Sequence, residues 1–176
     1  MARRLGEQWP SYAAFVVSFL TIGIIWVNHH AMLRRLVGVD HSVLMLNLIL
    51  LLTVGLLLFS TALMAAYVTA DHGQETAAVV YGGSYLAMAL AFLAMQGHIL
   101  RSRRHLLAEH MTADVRRSVS RRNAAGTLPY IAATLGGLIS PYVTLVICGA
   151  VAVFYALPST TADAAEAIDV DAGHGR

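Results

Sequence analysis

Long stretches of this chain carry no charged side chain. Four runs lack Asp, Glu, Lys and Arg altogether: residues 8–33, 41–70, 76–100 and 123–162. A charge is costly in hydrocarbon, and a helix needs about 20 mostly apolar residues to cross a bilayer. Each of the first three runs therefore predicts one membrane-spanning helix: residues 11–32, 42–67 and 77–99.

The fourth run is interrupted in the middle. Gly136-Gly137 and Ser140-Pro141 break it, and a proline ends or kinks a helix. One interpretation is a hairpin of two short helices, over residues 128–139 and 142–157; the other is one long kinked helix. We favour the hairpin, so the sequence predicts an all-α integral membrane bundle of about five transmembrane helices within residues 11–157.

The composition supports a membrane protein and narrows its chemistry. Hydrophobic residues make up 57% of the chain and charged residues 12%, whereas a soluble domain usually carries about 25% charge. This balance excludes an ordinary soluble enzyme, and the single Cys148 excludes an intramolecular disulfide. The sequence has no glycine-rich phosphate loop, no Ser/His/Asp set, no zinc-ligand spacing and no carboxylate inside the apolar runs. We therefore expect neither an enzyme nor a bound cofactor or metal.

The basic residues lie mostly on one side of the predicted membrane. With five helices, one side holds two arginines, in the N-terminal segment 1–10, and the other holds ten, seven of them in the linker 101–122. The positive-inside rule places the second side in the cytoplasm, together with the C-terminus. We expect the N-terminal segment to lie outside and the acidic tail, residues 158–176, to be disordered.

The arginine-rich linker allows two interpretations. Leu107, Met111 and Val115 recur every four residues between arginines, a pattern that suits an amphipathic helix on anionic lipid head groups. The alternative, which we favour, is a cytoplasmic loop that fixes the topology. Nucleic-acid binding is not expected because the segment has no Phe, Tyr or Trp to stack on bases.

Polar side chains inside the apolar runs are the first place to look for function. His29 and His30 lie near the cytoplasmic end of the first helix, and Asn47 lies about one turn into the second, which starts from the same side. Their similar depth predicts a hydrogen bond between neighbouring helices. The alternatives are a pH-sensing site, or cofactor ligation with His98 as a partner, although adjacent histidines point in different directions on a helix.

The third predicted helix carries a stripe of small residues. Gly83, Ala87 and Ala91 recur every four residues. Such stripes let helix backbones approach closely, so this one predicts a contact either inside the bundle or with another subunit.

The sequence between Trp9 and Asn47 resembles a known family. Trp9-Pro-Ser-Tyr-Ala-Ala-Phe-Val-Val-Ser-Phe continues to Trp26-Val-Asn-His-His, and Asn47 follows within Leu-Asn-Leu-Ile-Leu-Leu-Leu. These elements, with the Ser140-Pro141 break, are similar to the bacterial branch of the endosomal and lysosomal potassium channel family, transmembrane protein 175. The resemblance covers most of residues 9–157. It implies potassium-selective leak conduction by a homotetramer in the inner membrane, with potassium ions and the lipid bilayer as partners.

The chain departs from the family pattern at its beginning. The family's pore-lining first helix carries an Arg-x-x-x-Phe-Ser-Asp motif, which this sequence lacks. The chain therefore resembles helices two to six of a six-helix repeat, and ion-selectivity residues are expected on the absent first helix. The resemblance assigns Trp26, Asn28, His29 and Asn47 to a polar network that supports that helix. Either the gene's start lies further upstream, as the outside N-terminus suggests, or the chain is a remnant without its own pore helix.

Three functions remain open. The first is a potassium channel subunit that is incomplete without an upstream pore helix. The second is a non-conducting integral membrane protein with a structural or interaction role, and the third is a redox or transport protein that uses the histidines. Potassium flux separates the first two, and a haem absorption band would identify the third.

Overall fold

Five α-helices with defined ends form the part of the protein that a computed structural model describes. The described residues are 9–34, 36, 38–102, 117, 118, 120, 121 and 124–156, with the backbone alone at 101 and 102. The helices are α1 Trp9–Leu33, α2 His41–Tyr67, α3 Gln74–Ser102, α4 Leu128–Gly136 and α5 Pro141–Ala156. The first two, and Gln74–Leu100 of the third, are long and apolar enough to cross a membrane, and α5 is a shorter apolar helix. The predicted all-α membrane bundle is confirmed.

Local chemistry explains where the long helices begin. Helix α1 starts at Trp9, so the last two residues of the predicted outer segment 1–10 are helical; Pro10 is tolerated because the first turn needs no backbone N–H. Helix α2 follows Asp40, whose Oδ1 accepts a hydrogen bond from the Val43 amide at 2.8 Å and caps the helix. Gly73, with a φ of 83°, turns the chain into α3.

The last charge-free run forms two helices and not one kinked helix. Helix α4 ends at Gly136, three residues before the predicted end at 139, and α5 begins at Pro141. At 1.5 Å per residue, α4 rises only about 14 Å, roughly half of a bilayer core. A Cβ atom on Gly137 would lie 2.9 Å from the backbone of Ala78 and Val79, so a larger residue there would push the hairpin off α3.

The helices surround a core that α3 dominates. Helices α1, α2, α3 and α5 form a closed ring of neighbours, and α4 packs between α3 and α5. Five large side chains of α3 are buried in the centre: Tyr81, Tyr85, Met88, Met95 and Ile99. Membrane helices gain little from hiding apolar surface from lipid, so close packing and hydrogen bonds must hold this ring together.

Two segments predicted from the sequence lie largely outside the described residues. The basic linker 101–122 is described only at its first two residues and at 117, 118, 120 and 121, all of them helical. Its possible amphipathic stretch around Met111 is not among them, nor is the acidic tail, residues 158–176. Arg117 and Arg121 are described and exposed.

Candidate functional site

A histidine and an asparagine join α1 to α2 near one end of the ring. His29 Nε2 lies 2.8 Å from Asn47 Oδ1, and both side chains are partly buried. With the asparagine oxygen as acceptor, the histidine nitrogen is the donor. The hydrogen bond that similar depth predicted is therefore present. It leaves the second ring nitrogen of His29 and the amide nitrogen of Asn47 for other partners.

Trp26 and Asn28 lie apart from this pair. The Trp26 indole is 63% exposed and stacks on His30, with ring centroids 5.3 Å apart and planes at 9°. Asn28 is exposed and donates to the Ile24 carbonyl of its own helix at 2.9 Å. Successive helical residues point about 100° apart, so the Trp-x-Asn-His-His element cannot turn all its side chains to one neighbour. Of the four residues predicted as one network, the structure brings together two, His29 and Asn47.

The most highly connected polar group is a cluster of four hydroxyls that we term the hydroxyl cluster. Its members, Ser18 of α1, Thr61 of α2, and Tyr81 and Tyr85 of α3, are at most 6% exposed. Ser18 Oγ lies 2.7 Å from the Thr61 hydroxyl, 3.0 Å from that of Tyr81 and 3.2 Å from that of Tyr85. The two tyrosine oxygens are 2.9 Å apart. The cluster therefore joins three helices at one point.

Every hydroxyl of the cluster has a hydrogen-bond acceptor. Thr61 can donate to the Leu57 carbonyl at 2.7 Å, and Tyr81 to the Ala14 carbonyl at 3.1 Å. Ser18 can then donate to Thr61, and Tyr85 to Tyr81 or Ser18. Among the described residues, no buried oxygen of the cluster lacks a partner. A cation bound here would have to displace these bonds with no carboxylate to offset its charge, so the cluster is suited to holding helices and not to binding ions.

The sequence alone pointed only weakly to the hydroxyl cluster. Ser18 shares a four-residue spacing with Trp26 and His30, but Thr61 and the two tyrosines are ordinary residues in apolar runs. The available signal was the pair Tyr81 and Tyr85, one turn apart in a helix otherwise rich in small residues. A buried tyrosine usually finds a partner for its hydroxyl, so such a pair indicates polar groups on the facing helices.

An acidic residue and a histidine meet at the same end of the ring as His29. Asp40 Oδ2 lies 3.8 Å from His98 Nε2, beyond hydrogen-bond distance, and both side chains are half-buried. This places His98, considered above as a possible second ligand for a cofactor, beside the cap of α2. Within the described ranges, no group of three or more His, Cys, Asp or Glu side chains is arranged to hold a metal ion.

The outer surface of α1 and α2 is apolar, whereas the centre of the ring is filled. The large exposed side chains on these two helices include Phe15, Phe19, Leu48, Leu52 and Phe59. In the centre, Tyr81, Tyr85, Met88 and Met95 are at most 1% exposed. Apolar surface of this kind suits lipid or another membrane helix, whereas the centre is occupied by buried α3 side chains.

These features define a multi-pass α-helical membrane protein whose polar side chains tie its helices together. Residues 1–57 match the family model described as "Endosomal/lysosomal potassium channel TMEM175". A protein named potassium channel from Streptomyces collinus is 40% identical over 164 residues, which are 92% of this chain and 79% of that one. The chain therefore belongs to the TMEM175 family, as the resemblance of its Trp-x-Asn-His-His element predicted.

A second relative and a solved structure agree with this assignment. A protein named potassium channel from Chamaesiphon minutus is 34% identical over 152 residues, which are 86% of this chain and 73% of that one. The crystal structure of a lysosomal potassium-selective channel TMEM175 homolog from the same species matches with a TM-score of 0.73 and 32% identity. That match covers 88% of this chain and 77% of the solved one.

Proposed function

We propose that this protein is a potassium channel subunit that conducts potassium as a leak across the membrane. The observation that carries the proposal is its family: two relatives, at 40% and 34% identity over most of the chain, are named potassium channels. The similar solved structure is described as potassium-selective. The helix bounds support the proposal, because three helices are long and apolar enough to span a bilayer.

The conducting path would lie between copies of the chain. The ring's centre is filled by α3 side chains, and the hydroxyl cluster within it has satisfied hydrogen bonds. An ion crossing there would have to open the core of the subunit. An assembly of several copies, a homotetramer by analogy with the family, avoids that cost. The path then runs between the outer faces of neighbouring subunits. The apolar faces of α1 and α2 offer such a surface.

The polar residues singled out in the sequence would support the pore and not select ions. His29 and Asn47 would fix the spacing of α1 and α2 through their hydrogen bond. Trp26 and Asn28, exposed on α1, would contact a further helix packed on that surface. Ion selection would then depend on that further helix, which in the family carries the Arg-x-x-x-Phe-Ser-Asp motif.

The charge distribution supports one orientation. The arginines of the linker 101–122 would face the cytoplasm, and the C-terminus with them, in the cell's inner membrane. The His29–Asn47 pair and the Asp40–His98 contact would then lie near the cytoplasmic side. Cysteine labelling from outside intact cells, at a residue introduced into the α2–α3 turn and separately into the linker, would test this orientation. Labelling of the linker variant alone would contradict it.

Potassium flux tests the proposed function. The 176-residue chain, and a chain extended to any earlier in-frame start, would be reconstituted into potassium-loaded vesicles held in a sodium medium. We expect potassium efflux above that of protein-free vesicles from at least one of the two chains, with equal incorporation of both. Efflux from the extended chain alone would support an upstream pore helix. No efflux from either, with a potassium ionophore still releasing the ion, would favour a non-conducting membrane protein.

A further inference from the structure

An apolar groove opens on the surface where α5 ends and the chain approaches α4. It is open to the surroundings and has a volume of about 490 Å³. Three small residues, Ala125, Gly126 and Ala150, line it together with Pro129, Phe154 and Tyr155. Gly126 and Thr127 form a turn just before the first residue of α4, so small side chains line the groove beside the last turns of α5.

The depth of the groove places it against lipid tails. Helix α5 starts at Pro141, and beside it Tyr142 stacks on Trp9, a pair typical of a membrane interface. At 1.5 Å per residue, Ala150 to Tyr155 lie about 14 to 21 Å along α5 from Pro141. In a hydrocarbon core of about 30 Å, Ala150 lies close to the midplane, and Phe154 and Tyr155 lie in the leaflet opposite the Trp9–Tyr142 pair. That leaflet is the one that the arginine-rich side of the chain faces.

Two arginines precede the groove in the sequence. Arg117 and Arg121 lie eight and four residues before the groove residue Ala125, and both are helical. Four residues of chain span at most about 14 Å, so the backbone of Arg121 lies within that distance of Ala125. Both arginines are exposed. The surface therefore combines an apolar groove at hydrocarbon depth with positive charge close to it.

We propose that this groove binds an anionic phospholipid of the cytoplasmic leaflet, with an acyl chain against Ala125, Ala150 and Phe154 and the phosphate near Arg117 and Arg121. An amphipathic ligand with an acidic head and an apolar tail complements both ends of the surface. A helix of another protein would cover the groove but would not need the two arginines, and a free phosphate would not need the groove.

Native mass spectrometry of the full chain in detergent tests the proposal. Phosphatidylglycerol and phosphatidylcholine with identical acyl chains would be titrated separately. We expect tighter binding of phosphatidylglycerol, and a loss of about 30-fold in its affinity in the double variant Arg117→Gln/Arg121→Gln, which corresponds to about 1 kcal/mol per arginine near a membrane surface. Phosphatidylcholine binding should not change in this variant. Arg34→Gln, an exposed arginine at the end of α1, is the matched control and should change neither lipid.

Groove-filling variants test the other end of the site. Ala150→Leu, or Ala125→Leu if the first does not fold, should weaken both lipids by about tenfold because the larger side chain occupies the groove. Ala132→Leu, exposed on α4 away from the groove, should leave both affinities unchanged. Equal binding of the two lipids by the native chain, or displacement of phosphatidylglycerol by soluble glycerol phosphate, would overturn the proposal. Unchanged binding in a folded Ala150→Leu variant would overturn it as well.

Discussion

Replacing Ser18 by alanine tests whether the hydroxyl cluster holds the ring together. Ser18 Oγ contacts three other hydroxyls, at 2.7, 3.0 and 3.2 Å, and the Ala14 carbonyl at 2.8 Å. No other side chain of the cluster contacts all the rest. The substitution removes the hydrogen bonds that Ser18 makes to α2 and α3, whereas Tyr81 can still donate to the Ala14 carbonyl of α1. It adds no bulk and leaves only a small void.

The expected cost is moderate because the remaining hydroxyls keep other partners. Thr61 still donates to Leu57, Tyr81 to Ala14, and Tyr85 can donate to Tyr81. No buried donor is left without an acceptor, so the larger penalty for an unmet polar group does not apply. Hydrogen bonds between membrane helices contribute about 0.6 kcal/mol on average and up to about 1.7. We expect Ser18→Ala to lower the free energy of unfolding by about 1 to 2 kcal/mol.

Reversible unfolding in mixed micelles would measure this change. Ser60→Ala is the matched control: Ser60 is also fully buried, but its hydroxyl donates only to Leu57 of its own helix, so its removal should cost less than about 0.5 kcal/mol. A double-mutant cycle of Ser18→Ala with Thr61→Val should give a coupling of about 0.6 kcal/mol. Equal effects of Ser18→Ala and Ser60→Ala, within about 0.3 kcal/mol, would refute the structural role of the cluster.

Two further substitutions have neighbours in the sequence as controls. His29→Ala should lower thermal stability or assembly because it breaks the hydrogen bond to Asn47. His30→Ala, the control, should change thermal stability and assembly less. A changed ion preference with normal assembly in His29→Ala would contradict the supporting role of His29. Gly82→Ala should destabilise the fold by about 1 to 3 kcal/mol, because its Cβ would lie 2.9 Å from the α4 backbone. Gly83→Ala, which meets open space, should be neutral or slightly stabilising in the same unfolding assay.

Helix positions could be predicted from the sequence because charged residues are excluded from membrane-spanning segments and a proline ends or kinks a helix. The three long charge-free runs each hold one long helix, although α3 extends three residues beyond both predicted ends. The ends of the hairpin were harder to predict. Gly137 keeps right-handed backbone angles, with a φ of -61°, so its conformational freedom does not end the helix. What requires a glycine at this position is the close approach to the backbone of α3.

Contacts between helices could be predicted only where two polar side chains lie at the same depth in the membrane on consecutive helices. His29 and Asn47 lie at similar depth on consecutive helices, and they form the expected hydrogen bond. The small-residue stripe through Gly83 shows the limit of such reasoning. The close approach of α3 to α4 occurs at Gly82, one residue before the stripe, whereas a Cβ on Gly83 would meet open space. A stripe of small residues does not reveal which face of its helix packs against a neighbour.

The packed ring makes stability and conduction separable. If ions pass between copies, a substitution in the hydroxyl cluster should change how readily the subunit unfolds but leave the potassium-to-sodium preference of the assembled channel intact. The reason is distance and burial: Ser18, Tyr81 and Tyr85 are at most 2% exposed and face one another. Ion preference that changed in Ser18→Ala at native stability would instead place the path through the ring. Flux and unfolding measured on the same variant therefore locate the pore more sharply than either measurement alone.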